Sequence, residues 1–71
     1  MPLTMLPLGK SAIINVCRAK ESTRKFLEGL GMVPGALVTV ISENGGNLIV
    51  NVKDSRLALS KGIAQQLLVR V

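Results

Sequence analysis

Apolar residues recur along this chain with two different periods. Thr23, Phe26, Leu27 and Leu30 fall at i, i+3, i+4 and i+7, the spacing of one helix face. They predict a short helix over Glu21 to Leu30 with Phe26 in the core. Elsewhere the pattern is that of strands. Ser11 to Val16 predicts a first strand, with β-branched residues on both faces as in a small barrel. Leu37 to Ser42 and Leu48 to Val52 flank Glu43-Asn44-Gly45-Gly46-Asn47. Asn-Gly between two β-rich runs predicts a hairpin, and the second Gly suggests a bulged or longer loop. Leu48, Val50 and Val52 alternate with Ile49 and Asn51, which defines one core face. Lys53-Asp54-Ser55 reads as a turn, Arg56 to Leu59 as a fourth strand and Leu67 to Val71 as the last. Ser60 reads as the N-cap of one helical turn over Lys61 to Gln66, kept short by Gly62. Met1 to Pro7 reads as an extended lead-in, closed by a turn at Gly9-Lys10.

The stretch from Leu27 to Gly35 carries the most structural information. Gly31 is where the helix must stop, because glycine alone enters the left-handed region without a Cβ penalty. With Gly31 at C′, Met32 is C″ and Leu27 is C3, the apolar pair of a Schellman motif. Val33-Pro34-Gly35-Ala36 then reads as a type II turn, Pro34 setting the first central φ and Gly35 the positive second one. A helix therefore passes into a hairpin through a rigid corner. The order is strand, helix, three strands, helical turn, strand. Five short strands predict a mainly β, single-domain fold over residues 1–71, a small and partly closed barrel whose closure protects its edges.

Composition changes this picture in three ways. At 71 residues the core is small, and a chain of this size buries only about 60% of its unfolded surface. Apolar residues make up 48% and mean hydropathy is +0.45, so part of the apolar excess should lie on the surface, available to a partner. That excess also favours a homo-oligomer formed through edge strands. Net charge is +5, and Arg18, Lys20, Arg24 and Lys25 gather within a short span. The cluster suits an acidic protein face, an anionic surface or a phosphate backbone, and its plainest reading is a solvated helix face.

Candidate chemistry is sparse. The one cysteine, Cys17, excludes an internal disulfide and reads as a small buried hydrophobe. With no His, and with only Glu21, Glu28, Glu43 and Asp54 as carboxylates, an intrinsic iron site is not expected. No nucleophile, base and orienter come together in the sequence, so it is not read as an enzyme, and no cofactor is implied. Nucleic acid is disfavoured as a partner, because single-strand readers carry stacking aromatics and Phe26 is the only aromatic here. No apolar run is long enough to span a membrane, and Met1 to Pro7 lacks the pattern of a signal peptide. The expected compartment is the cytoplasm.

At four places the sequence resembles the FeoA family of ferrous iron transport proteins. These are Leu6-Pro7-Leu8-Gly9 leading into Ala12-Ile13-Ile14; Phe26-Leu27 with Leu30-Gly31-Met32-Val33-Pro34-Gly35; Val38-Thr39-Val40-Ile41 with its return Leu48-Ile49-Val50; and Leu57-Ala58-Leu59 followed by Ile63-Ala64 and Val69-Arg70-Val71. Arg24-Lys25-Phe26 stands where the family often shows an Arg-rich run. The resemblance implies a five-stranded SH3-like barrel with one short α-helix and one C-terminal helical turn. It also implies transition metal ion binding at family level, and a cytoplasmic role in ferrous iron uptake. The implied partner is the cytosolic part of FeoB, the membrane ferrous iron transporter, which the chain would bind and modulate without inserting into the membrane.

Partner-binding candidates are Arg24, Met32 and Lys61. Met32, Val33 and Pro34 are read as an exposed corner that joins the second helical turn (Lys61, Ile63, Gln65) in one docking surface. The alternatives are a nucleic-acid-binding SH3-like module, or a regulatory protein-contact domain related to metal-dependent repressors.

Overall fold

The computed structural model describes all 71 residues. Five strands alternate with two helices: β1 (Ser11–Cys17), α1 (Glu21–Gly29), β2 (Leu37–Asn44), β3 (Asn47–Val52), β4 (Ser55–Ser60), α2 (Lys61–Ala64) and β5 (Leu67–Arg70). They form one antiparallel sheet in the order β4-β3-β2-β1-β5. The lead-in is not extended: Leu3–Met5 forms a 3₁₀ turn, because Leu3 and Leu6 are drawn into the core.

The sheet curls because β1 changes partner along its length. Ser11 to Ile13 pair with β2, and Ile13 to Cys17 pair with β5. The register slips between Ile14 and Val16, leaving Asn15 as a bulge, and a bulge bends and twists its strand. A second slip lies between Val40 and Ser42, at Ile41. The predicted irregularity of the β2–β3 hairpin is thus in the strand rather than in the loop. Asn44 pairs directly with Asn47, and Gly45 and Gly46 make a tight two-residue turn with φ of +57° and +86°. Both positive angles match the primed turns whose twist suits adjoining strands.

A cluster of 15 buried residues fills the barrel, drawn from every strand, from Leu27 of α1 and from Ala64 of α2. Only one face of β1 is buried, Ala12 and Ile14, not both. Cys17 is half-buried against the core. The gap between edge strands β4 and β5 is spanned by α2 and the 3₁₀ turn, which touch each other. The Val69 amide donates to the Met1 carbonyl at 2.7 Å, and Pro2 bridges to Leu68, so the outer edge of β5 is covered.

The corner after α1 follows the sequence closely. The Met32 amide donates to the Leu27 carbonyl and the Gly31 amide to the Glu28 carbonyl, each at 3.0 Å. These are the two bonds of a Schellman cap. The Ala36 amide donates to the Val33 carbonyl at 3.0 Å, closing the type II turn over Gly35. Leu27 is 0% and Met32 1% exposed. Burying each such side chain contributes about 1.5–3 kcal/mol. Lys53, itself at φ +55°, lays its side-chain stem over Gly31 and steadies the corner from outside.

Candidate functional site

A cleft of about 380 Å³ opens where the end of β1, the first turn of α1 and the turn of α2 converge. It is lined by Arg18, Lys20, Thr23, Ser60, Gly62, Ile63 and Gln66, of which only Ile63 is hydrophobic and none is acidic. Its walls are fixed by backbone bonds. The Arg18 amide donates to the Gln66 carbonyl at 2.7 Å, tying β1 to the segment after α2. The Gln66 amide donates to the Ile63 carbonyl at 2.9 Å and the Arg24 amide to the Lys20 carbonyl at 2.9 Å. Ser60 caps α2 as the sequence predicts, its Oγ accepting from the Ile63 amide at 3.3 Å. Ala19 points inward between Arg18 and Lys20, which both remain exposed.

Lys20 occupies the N-cap of α1, and its side chain makes no capping hydrogen bond. The first turn of α1 therefore keeps unpaired N–H groups beside two cations. The ion pair on α1 is Arg24 with Glu28 at 4.0 Å. Lys61 is paired with Glu43 of β2. Two of the four carboxylates are thus held by Arg24 and Lys61, and Arg18 and Lys20 have no acidic partner.

The three predicted contact residues do not meet as one site. Arg24 on α1 and Lys61 on α2 flank the cleft without lining it. Met32 is not at an exposed corner. The Schellman turn that follows Gly31 folds its side chain back onto Leu27, into the core. Phe26 departs in the opposite sense, being 64% exposed. The helix meets the barrel through Leu27, on one side of its apolar stripe, and Phe26 on the other side is left in solvent. Sequence reasoning reached Arg18 and Lys20 only as members of a basic run. A sharper signal was available in a basic–alanine–basic triplet with no capping residue before the helix, together with polar Gln66.

A second surface feature is apolar. On the outer face of the sheet Ile13 lies opposite Leu37, and Val16 lies opposite Leu68. Leu37, Val16 and Phe26 are exposed, as are Met5 and Leu8, in keeping with the apolar excess of the composition. No group of three or more His, Cys, Asp or Glu residues comes together. The donor set does not fit an intrinsic transition-metal centre. No helix is long and apolar enough to cross a membrane.

The geometry defines an SH3-like barrel with a basic cleft between two helical pieces. The FeoA domain family model matches residues 1–71, and the chain belongs to the FeoA family. A crystal structure described as an iron uptake regulatory protein, FeoA, is 30% identical, with a TM-score of 0.87 over 99% of this chain and 93% of that one. FeoA of Stenotrophomonas maltophilia, described as an SH3 domain protein and solved with zinc, is 31% identical. Its TM-score is 0.81 over 97% of this chain and 88% of that one. FeoA of Chlorobium tepidum is 27% identical, with a TM-score of 0.95 over all of this chain and 70% of that one. No curated protein matches the chain significantly. The family is linked to ferrous iron transport.

Proposed function

We propose that this chain is a small cytoplasmic accessory protein of ferrous iron uptake that binds the cytosolic part of the FeoB transporter and modulates it. The observation that carries the reading is the α1–α2 face. There Arg18 and Lys20 line the cleft, and the same helix α1 carries Arg24 and an exposed Phe26. A face of this kind suits an acidic partner surface with an apolar pocket. Complementary charge steers such an encounter, and a buried aromatic anchor supplies much of the affinity. In this reading Arg24 and Phe26 of α1 and Lys61 of α2 contribute contacts. Met32 acts from beneath by holding α1 in place. Modulation then requires that the chain bind one state of the transporter more tightly than another.

The test is binding of the purified chain to the cytosolic part of FeoB, with and without guanine nucleotide, across a salt series. Saturable binding weakened at least tenfold by Arg24→Glu, Lys61→Glu or Phe26→Ala is the expected result. Absence of binding in every nucleotide state, with RNA or DNA retained from the lysate, would overturn it in favour of a nucleic-acid module.

A further inference from the structure

We infer that the cleft between α1 and α2 is an oxyanion site for soluble phosphoryl compounds, with Arg18 and Lys20 as its charged ligands. The first support is a charge imbalance that the fold leaves in place. Glu28 and Glu43 are engaged by Arg24 and Lys61, outside the cleft. Arg18 and Lys20 line it without an ion pair, and Glu21, which follows Lys20, is not among the lining residues. A cleft lined by one sign of charge concentrates the opposite sign.

The second support is the polarity of the neutral lining. The Ser60 oxygen already accepts from the Ile63 amide, so its O–H is free to donate into the cleft. The Thr23 hydroxyl and the Gln66 side-chain amide make no hydrogen bond within the protein. Each can donate. Donors therefore surround the space from β1, α1 and α2 together. That distribution suits the three-dimensional array of oxygens on a phosphoryl group better than a planar carboxylate. Arg18 brings a planar fork and Lys20 a point charge, the two residue types that bind phosphate in complementary ways. The third support is rigidity. The Arg18–Gln66, Gln66–Ile63 and Arg24–Lys20 backbone bonds fix the main chain that carries the lining side chains, which lowers part of the entropic cost of binding. No aromatic side chain lines the cleft, so a nucleobase finds no stacking surface, and the ligand is recognised through its phosphoryl end.

This inference concerns the isolated chain and stands apart from the transporter reading, so either one can fail alone. The experiment is an amide NMR titration of the full chain with inorganic pyrophosphate, with chloride and acetate as controls at matched ionic strength. A separate arm uses phosphatidylglycerol vesicles. Expected are saturable shifts centred on Arg18, Lys20, Thr23, Ser60 and Gln66 with pyrophosphate. Arg18→Gln or Lys20→Gln should weaken binding at least tenfold, and Arg56→Gln, on β4 outside the cleft, should leave it unchanged. All three positions are exposed, and a retained spectrum verifies that each variant folds. The inference is overturned by non-saturable shifts, by equal shifts with acetate, by binding that survives the Arg18→Gln/Lys20→Gln pair, or by association with vesicles alone.

Discussion

The two ends of α1 are built on opposite principles. At the C-terminal end both Schellman hydrogen bonds are made, Gly31 takes the left-handed conformation at φ +93°, and Leu27 and Met32 are sealed in the core. At the N-terminal end Lys20 makes no side-chain cap, and Arg18 and Lys20 line an open cleft; between the two ends, Phe26 stands in solvent one residue from buried Leu27. One end spends its sequence on holding the helix, and the other leaves groups unsatisfied that a ligand or partner can satisfy. A fold this small has few places for such groups without unfolding, so anchoring one end firmly is what allows the other to stay open.

Substitutions can break this contrast, starting with the anchored end. Leu27→Ala should destabilise the chain by about 2–5 kcal/mol, because the barrel rim cannot collapse around the vacated volume. Chemical denaturation reads the loss, and a variant as stable as the parent would show that α1 is not pinned through this residue. Gly31→Ala should cost about 1–2 kcal/mol from the left-handed backbone alone. The Lys53 stem lies at ordinary contact distance from the site of an added Cβ, so no clash contributes. A thermal melt unchanged by Gly31→Ala would contradict the capping account.

At the open end the expected signs separate. Lys20→Asp should raise stability by about 1 kcal/mol, since a carboxylate caps the first-turn N–H groups and suits the helix dipole. The same change should abolish pyrophosphate binding, so stability and ligand affinity move in opposite directions. Smallest in stability is Phe26→Ala, expected within about 0.5 kcal/mol of the parent. Its effect should instead appear in binding to the cytosolic part of FeoB. A large loss of stability from Phe26→Ala would place the ring in the core and sink the comparison.

Much of the architecture is legible in local sequence because its determinants are local. The Gly31 cap, the Pro34-Gly35 turn, the Gly45-Gly46 hairpin and the Ser60 cap each depend on φ values and short-range hydrogen bonds that a few adjacent residues impose. Periodicity was less informative where only part of a stripe is used. It placed Phe26 and Leu27 on one apolar side, yet only a helix lying flat on the barrel would bury both. Met32 shows the converse. Its pairing with Leu27 in the Schellman motif implies burial, and the corner it occupies is exposed only at Pro34 and Gly35.

By itself the sequence determined the class of the protein: the order of its elements, its turns, the apolar residues of its strands and its membership of the FeoA family. The elements, turns and strand faces follow from backbone preferences and side-chain alternation carried by neighbouring residues, and the family membership rests on the match of the whole chain to the family model. Only the tertiary structure decided which cations are free and which are paired, because Glu43 reaches Lys61 across a distance the sequence does not encode locally. It also decided that Arg18 and Gln66, far apart in the chain, form the walls of one cleft. The physical reason is that closing a barrel brings distant segments together at its open side. A site assembled there depends on the path of the sheet rather than on any motif.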